Sequence, residues 1–159
     1  MASAHDFTFK TIDGKPLAMK SFAGKPVLVV NVASFCGLTP QYADLETLHE
    51  TYGPKGLVVL GVPCNDFGAQ EPKSEGEIAK FCESSYGVKF QLTSKEKVIG
   101  AGAHPLYEWI AGKLGTEALP KWNFHKYLIG KDGELLETFG SRVSPGAAEV
   151  KKSIEQALA

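Results

Sequence analysis

The chain has 159 residues, 43% of them apolar and 22% charged, and 17 basic against 18 acidic residues leave a formal net charge of −1. That length and composition suit one globular domain spanning residues 1–159 with a single well-formed core. The charges are interspersed and form no basic arm, which argues against nucleic acid as a partner, and the longest apolar runs, 27–32 and 57–63, are too short to cross a bilayer.

The N-terminus, Met1-Ala2-Ser3-Ala4-His5-Asp6, lacks a charged region followed by an apolar one. No signal peptide is expected, so the location is cytoplasmic, or periplasmic or organellar if a targeting segment was removed. Phe7, Phe9 and Ile12, then the Asp13-Gly14 turn and Pro16-Leu17, predict a small hairpin. Val27–Val32 is rich in β-branched residues and apolar on both faces, as a central strand should be. Thr39 fits an N-cap and Pro40 a first helical position, ahead of Tyr42, Leu45, Leu48 and Tyr52 at helical spacing. Gly53 and Pro54 should stop that helix. Residues 57–62 predict a second buried strand, so strand, helix and strand form a right-handed parallel unit.

Residues 65–73 are polar and read as a loop. Ser74 and Glu77 form a capping-box pattern before Ile78, Phe81, Cys82 and Tyr86. Pro105–Leu114 predicts an amphipathic helix with Leu106, Trp109, Ile110 and Leu114 on one side. Residues 127–129 and Leu135–Phe139 read as strands joined through Lys131-Asp132-Gly133. Ser144-Pro145 should open a last helix with Val150, Ile154 and Leu158 on one stripe. The sum is an α/β chain in the thioredoxin-like arrangement, with an N-terminal β-hairpin and a helical insertion between its βαβ and ββα units.

Three cysteines, Cys36, Cys64 and Cys82, are an odd number with no CxxC pair. They do not suit a structural disulfide framework, and with the four histidines dispersed they do not suit zinc. Reactive thiol chemistry remains. Cys36 follows a buried strand and precedes a helix, where backbone N–H groups and the helix dipole favour a thiolate. Such a lone thiolate can attack a peroxide and become a sulfenic acid; the alternative is a small buried residue at a strand end. Cys82 is either a core residue or a thiol that resolves that acid. A disulfide needs Cα atoms within ~7 Å, so the second reading requires its helix to unwind in part. Cys64 reads as structural. Around Asn65-Asp66-Phe67-Gly68-Ala69-Gln70-Glu71-Pro72 a strand opens into a loop of the kind that carries function in open α/β sheets. The Trp122 N–H beside Asn123 is either a core feature or a donor to a thiolate or peroxide oxygen.

Residues 31–39, Phe67-Gly68-Ala69-Gln70-Glu71-Pro72 and Trp122-Asn123-Phe124 resemble, in order and separation, three signatures of the glutathione peroxidase family. The resemblance runs from about Phe7 to Leu158. It implies a catalytic tetrad of Cys36, Gln70, Trp122 and Asn123, whose last three members hydrogen-bond the sulfur or the peroxide and stabilise the leaving oxygen. Cys36 stands where many animal members carry selenocysteine, and Cys82 matches the resolving cysteine of the cysteine-containing, thioredoxin-dependent type. No metal or organic cofactor is then needed. The implied partners are a hydroperoxide, either hydrogen peroxide or an organic or lipid one, and a thioredoxin-like dithiol, with glutathione as the other reductant. The short stretch between Leu114 and Lys121 favours a monomer or weak dimer. Phe35, Asp66 and Ala69 depart from the family pattern, where a polar or basic residue, Gln and Gly are frequent, and an acidic Asp66 at the rim would oppose a thiolate. Two other activities would use the same thiols. A disulfide oxidoreductase acting on protein thiols is disfavoured by the missing CxxC, and a peroxide sensor would pass its oxidation to a protein partner.

Overall fold

The computed structural model describes residues 3–159. Part of the expected N-terminal reading, Met1 and Ala2, lies outside them. The hairpin β1 (Thr8–Lys10) and β2 (Pro16–Ala18) pairs antiparallel ahead of the main sheet. That sheet has the order β5-β4-β3-β6-β7. All six residues of β3 (Val27–Val32) are buried, as its apolar run on both faces requires. On one side β4 (Val58–Pro63) pairs parallel to it through α1 (Gln41–Tyr52), and β5 (Gln91–Leu92) pairs parallel to β4. On the other, β6 (Lys126–Ile129) and β7 (Leu135–Phe139) add antiparallel. The insertion consists of α2 (Glu75–Tyr86) and β5; α3 (Pro105–Leu114) and α4 (Ala148–Leu158) complete the thioredoxin-like fold.

The pleat of β3 divides the core. Leu28, Val30 and Val32 face α1, α2 and α4, packing against Leu45, Leu48, Ile78, Val150 and Ile154. Val27 and Val29 face Phe9 and α3 through Leu106, Tyr107 and Ile110. Cys36 and Cys82 lie in the first of these cores and Cys64 in the second. In β4, Gly61 is required by close packing: a Cβ there would stand 2.8 Å from Leu92 Cδ2 and 3.1 Å from a Phe90 ring carbon.

Four details differ from the sequence reading. Helix α1 begins at Gln41 with Pro40 at its cap, because the Thr39 hydroxyl is engaged upstream. The Ser144 hydroxyl donates to Asp44 and accepts from Gly146 N–H, so Ser144–Ala147 forms a turn and α4 starts at Ala148. In α3 it is Tyr107 that is buried, with its ring against Tyr127, while Leu114 is exposed. Strand β5 was not legible, since two residues are too few to show alternation.

Candidate active site

The C-terminal end of β3 runs into a loop of overlapping turns. Carbonyls of Cys36, Leu38, Thr39 and Pro40 each accept an N–H three residues on, which winds the chain into α1. Thr39 staples this loop: its hydroxyl accepts the Cys36 N–H at 2.9 Å and donates to the Ala33 carbonyl at 2.8 Å. Cys36 is therefore five residues ahead of the helix rather than at its first turn. Its sulfur accepts the Leu38 N–H at 3.3 Å. The residue is 8% exposed and lies in the wall of an open depression of about 410 Å³, shared with Gly37, Leu38, Trp122, Ser141 and Arg142.

Gln70 arrives from the loop after β4. Gly68 and Ala69 both adopt left-handed backbone, at φ 65° and 51°. Only glycine takes this conformation without cost, and a Cβ at Gly68 would also meet the Trp122 ring at 3.1 Å. The frequent glycine of the family at position 69 thus has a backbone reason. The Gln70 carbonyl accepts the Phe35 N–H at 3.0 Å, tying this loop to the cysteine loop, and its side-chain oxygen accepts from Asn123 Nδ2 at 3.0 Å. Asn123 is fully buried with its own oxygen unpartnered. Phe124 after it has φ 65° and packs its ring edge-on to Tyr42. Two strained non-glycine residues thus bracket the Gln70–Asn123 pair, and surrounding contacts must hold them there. Asn31, the one polar side chain of β3, supplies such contacts. It donates to the Trp122 carbonyl at 3.1 Å and accepts the His125 N–H at 3.2 Å. Trp122 is 37% exposed, so the core reading of this residue fails.

The structure therefore brings Cys36 and Trp122 into one depression, and the bonded pair Gln70 and Asn123 is joined to them through the chain neighbours Phe35 and Trp122, Gln70 by its carbonyl bond to the Phe35 N–H. Cys82 is not part of that depression. It is buried in the eighth position of α2, a helix closed by the expected Ser74/Glu77 capping box and by Gly87 in left-handed conformation. Burial pushes its thiol up to about 11; the adjacent Tyr42 phenol and Lys73 act against this and the Glu71 carboxylate with it. Tyr42 makes no well-formed hydrogen bond. All three cysteines are free. Cys64 is buried on the opposite face, where burial raises its thiol to about 12, in keeping with a structural residue.

The departures from the family pattern also find their places. Phe35 is 57% exposed, with the Lys73 ammonium 5.1 Å from its ring centre and 5.0 Å from that of Phe81. Asp66, the acidic departure, is charge-paired within its own loop surroundings. Its carboxylate pairs with Lys97 at 2.8 Å and accepts the N–H groups of Val98 and Ile99. Burial opposes this charge, but the hydrogen bonds from Lys97, Val98 and Ile99 outweigh it and lower the pKa.

Sequence reasoning passed over several contributors. Glu71 is fully buried, with the Ser34 hydroxyl 2.8 Å from both its oxygens; burial raises its pKa against those bonds. Lys126 is buried on β6 and donates to the Gly140 and Ser141 carbonyls. The signals were present: a polar residue in an otherwise apolar β3, a lysine opening a buried strand, and Arg142 as the sole arginine of the chain. Among the described residues no group of three or more His, Cys, Asp or Glu is placed to hold a metal ion, and no helix is long and apolar enough to cross a membrane.

Comparison with known proteins adds to the geometry. A family profile described as glutathione peroxidase matches residues 4–111. The "Hydroperoxy fatty acid reductase Gpx2" of Synechocystis sp. is 49% identical over 148 residues, covering 93% of this chain and 94% of the relative. The "Thioredoxin/glutathione peroxidase BtuE" of Escherichia coli is 39% identical over 172 residues, 94% of each chain. Among solved structures, that of "Trgpx in apo form" superposes with a TM-score of 0.79 at 34% identity, over 99% of this chain and 97% of its own.

Proposed function

The chain belongs to the glutathione peroxidase family, and on that premise we propose that it is a thiol peroxidase in which Cys36 reduces hydroperoxides, Cys82 resolves the product and a thioredoxin-like dithiol recycles the enzyme. The observation that carries this reading is the shared depression of Cys36 and Trp122, backed by the Gln70–Asn123 hydrogen bond at 3.0 Å. The Cys36 thiolate attacks one peroxide oxygen; the O–O bond breaks, water or an alcohol leaves, and Cys36 becomes a sulfenic acid. The Trp122, Gln70 and Asn123 side chains serve as hydrogen-bonding groups for the sulfur and for the charge on the leaving oxygen. The Cys82 sulfur, as thiolate, then attacks the sulfenic sulfur, forming the disulfide and releasing water. A dithiol reduces that disulfide through a mixed-disulfide intermediate. Glutathione is the alternative reductant. The relatives named for hydroperoxy fatty acid reduction and for thioredoxin support the substrate and reductant classes.

Cys82 is buried inside a capped helix, so this scheme requires α2 to unwind locally before the two sulfurs meet. The chain acts as one domain, as a monomer or weak dimer, and gel filtration checks the latter. The central experiment is a thiol count with disulfide mapping before and after one equivalent of hydrogen peroxide. Wild type should lose two thiols and yield a Cys36–Cys82 peptide, while Cys82→Ser should stop at a sulfenic acid on Cys36. Cys36→Ser should lose nearly all peroxidase activity; retention of most of it would refute the reading. A wild type that stops at sulfenic acid with Cys82 free would leave Cys82 as core and assign resolution to an external thiol.

A further inference from the structure

The Cys36 depression has a neighbour. A second depression of about 470 Å³ shares Trp122, Ser141 and Arg142 with it and adds Leu119, Lys121 and Val143, with Glu117 in its lining. Trp122, Ser141 and Arg142 are thus common to both linings. The walls therefore combine apolar surface with two cations and one carboxylate. His125, also in the lining, is held neutral at pH 7: burial, with Lys126 and Lys121 nearby, lowers it to about 4.

Arg142 is the only arginine in the chain. Only two ion pairs form among the described residues, Lys15–Asp13 and Lys97–Asp66, so neither Arg142 nor Lys121 is spent on a protein carboxylate. The segment that carries Arg142 is nonetheless fixed from below. The Ser141 carbonyl accepts from Gln41 Nε2 at 2.8 Å and from the buried Lys126 Nζ at 3.1 Å, and the Gly140 carbonyl accepts from Lys126 Nζ at 3.3 Å. Two side-chain donors from α1 and β6 thus hold the backbone that carries a single unpaired guanidinium, in the lining of the depression that also holds Cys36. A guanidinium is the side chain best suited to a carboxylate, through a planar fork of donors.

We infer that the paired depressions form a subsite for hydroperoxides that carry a carboxylate, with Arg142 as the specificity-determining residue that takes the anionic end. The apolar remainder of such a molecule lies along Trp122, Leu119 and Val143, and Lys121 adds a second positive charge. This rests on the reading of Cys36 as the peroxidatic thiol. Oxidation of the wild type by hydrogen peroxide tests that reading by itself.

The test is single-turnover oxidation of Cys36, without reductant, by linoleic acid hydroperoxide and by its methyl ester. It is run on wild type, Arg142→Gln and Arg142→Lys. Wild type should favour the acid over the ester, and raised salt should erode the preference because the charges are exposed. Arg142→Gln should reduce the acid-to-ester ratio about fivefold, the factor an exposed charge pair supports, and Arg142→Lys should restore most of it. An equal rate for acid and ester in the wild type would overturn the inference. So would a ratio unchanged in Arg142→Gln, or a loss that falls alike on both substrates. Reduction of the oxidised protein by thioredoxin is timed separately on the same variants; an Arg142→Gln slowed only in that step would assign the surface to the reductant and overturn the inference as well.

Discussion

Asn31 shows how one side chain sets the geometry of several. Its amide spans the Trp122 carbonyl and the His125 N–H, and its backbone carbonyl accepts the Phe124 N–H. Asn31→Ala leaves buried groups unpartnered and should cost about 2–3 kcal/mol of stability. Because the Trp122–Asn123 segment loses its anchor, kcat/KM for hydrogen peroxide should fall at least about tenfold. Denaturant unfolding and steady-state kinetics on the same protein check both. Ala69 acts in the opposite sense. Its left-handed φ of 51° costs about 1 kcal/mol in a residue with a Cβ. Ala69→Gly relieves that strain but frees the unfolded chain by about 0.4–1 kcal/mol, so a net gain of no more than about 0.6 kcal/mol in denaturant unfolding is expected, with activity retained. The family resemblance singled out Cys36, Gln70, Trp122 and Asn123 in the sequence. It did not single out Asn31, whose partners lie 91 and 94 positions away.

At the scale of elements, α2 holds the tension in the mechanism. The same capping box that made it legible in the sequence secures the start of the helix in which Cys82 is buried, a helix that the proposed resolving reaction requires to open. Removing the cap should therefore have two linked effects. Ser74→Ala is expected to lower helix stability by about 1 kcal/mol. If α2 unwinds before the sulfurs meet, the same change speeds Cys36–Cys82 disulfide formation by about fivefold once the sulfenic acid has formed. Stopped-flow oxidation with acid quench measures that step. An unchanged rate would mean that α2 stays folded or that its opening is not limiting. The clamp of Lys73 between Phe35 and Phe81 lies on the same path, since each phenylalanine directly precedes a cysteine of the proposed pair.

For the molecule as a whole, the buried Lys126 makes stability depend on pH. Burial lowers its pKa from the usual 10.5 to about 7. Below about pH 7 the lysine is charged in both folded and unfolded chains, and the fold carries the full cost of burying that charge. Between about 7 and 10.5 the unfolded chain holds the proton and the folded one does not, so stability rises with pH. Above that window both are neutral and the dependence ends. Unfolding curves from pH 6 to pH 10 should show the rise, and Lys126→Met should flatten it. The same substitution releases the Gly140 and Ser141 carbonyls, so it should also weaken any discrimination exerted by Arg142.

What the sequence by itself determined is local. β-Branched runs produced β3 and β4, the Ser74/Glu77 pattern produced the start of α2, and Asp132-Gly133 sits in the turn between β6 and β7. In each case the deciding interactions lie within a few residues, or depend only on burial on both faces. Tertiary structure decided where polar groups found partners. Thr39 serves as a staple under Cys36 instead of a helix cap, Asp66 finds its partner in Lys97, 31 positions on, and Trp122 stands half-exposed at the rim instead of in the core. Hydroxyls, carboxylates and indoles have several acceptable partners. Which one is in reach is settled only when segments distant in sequence are packed side by side.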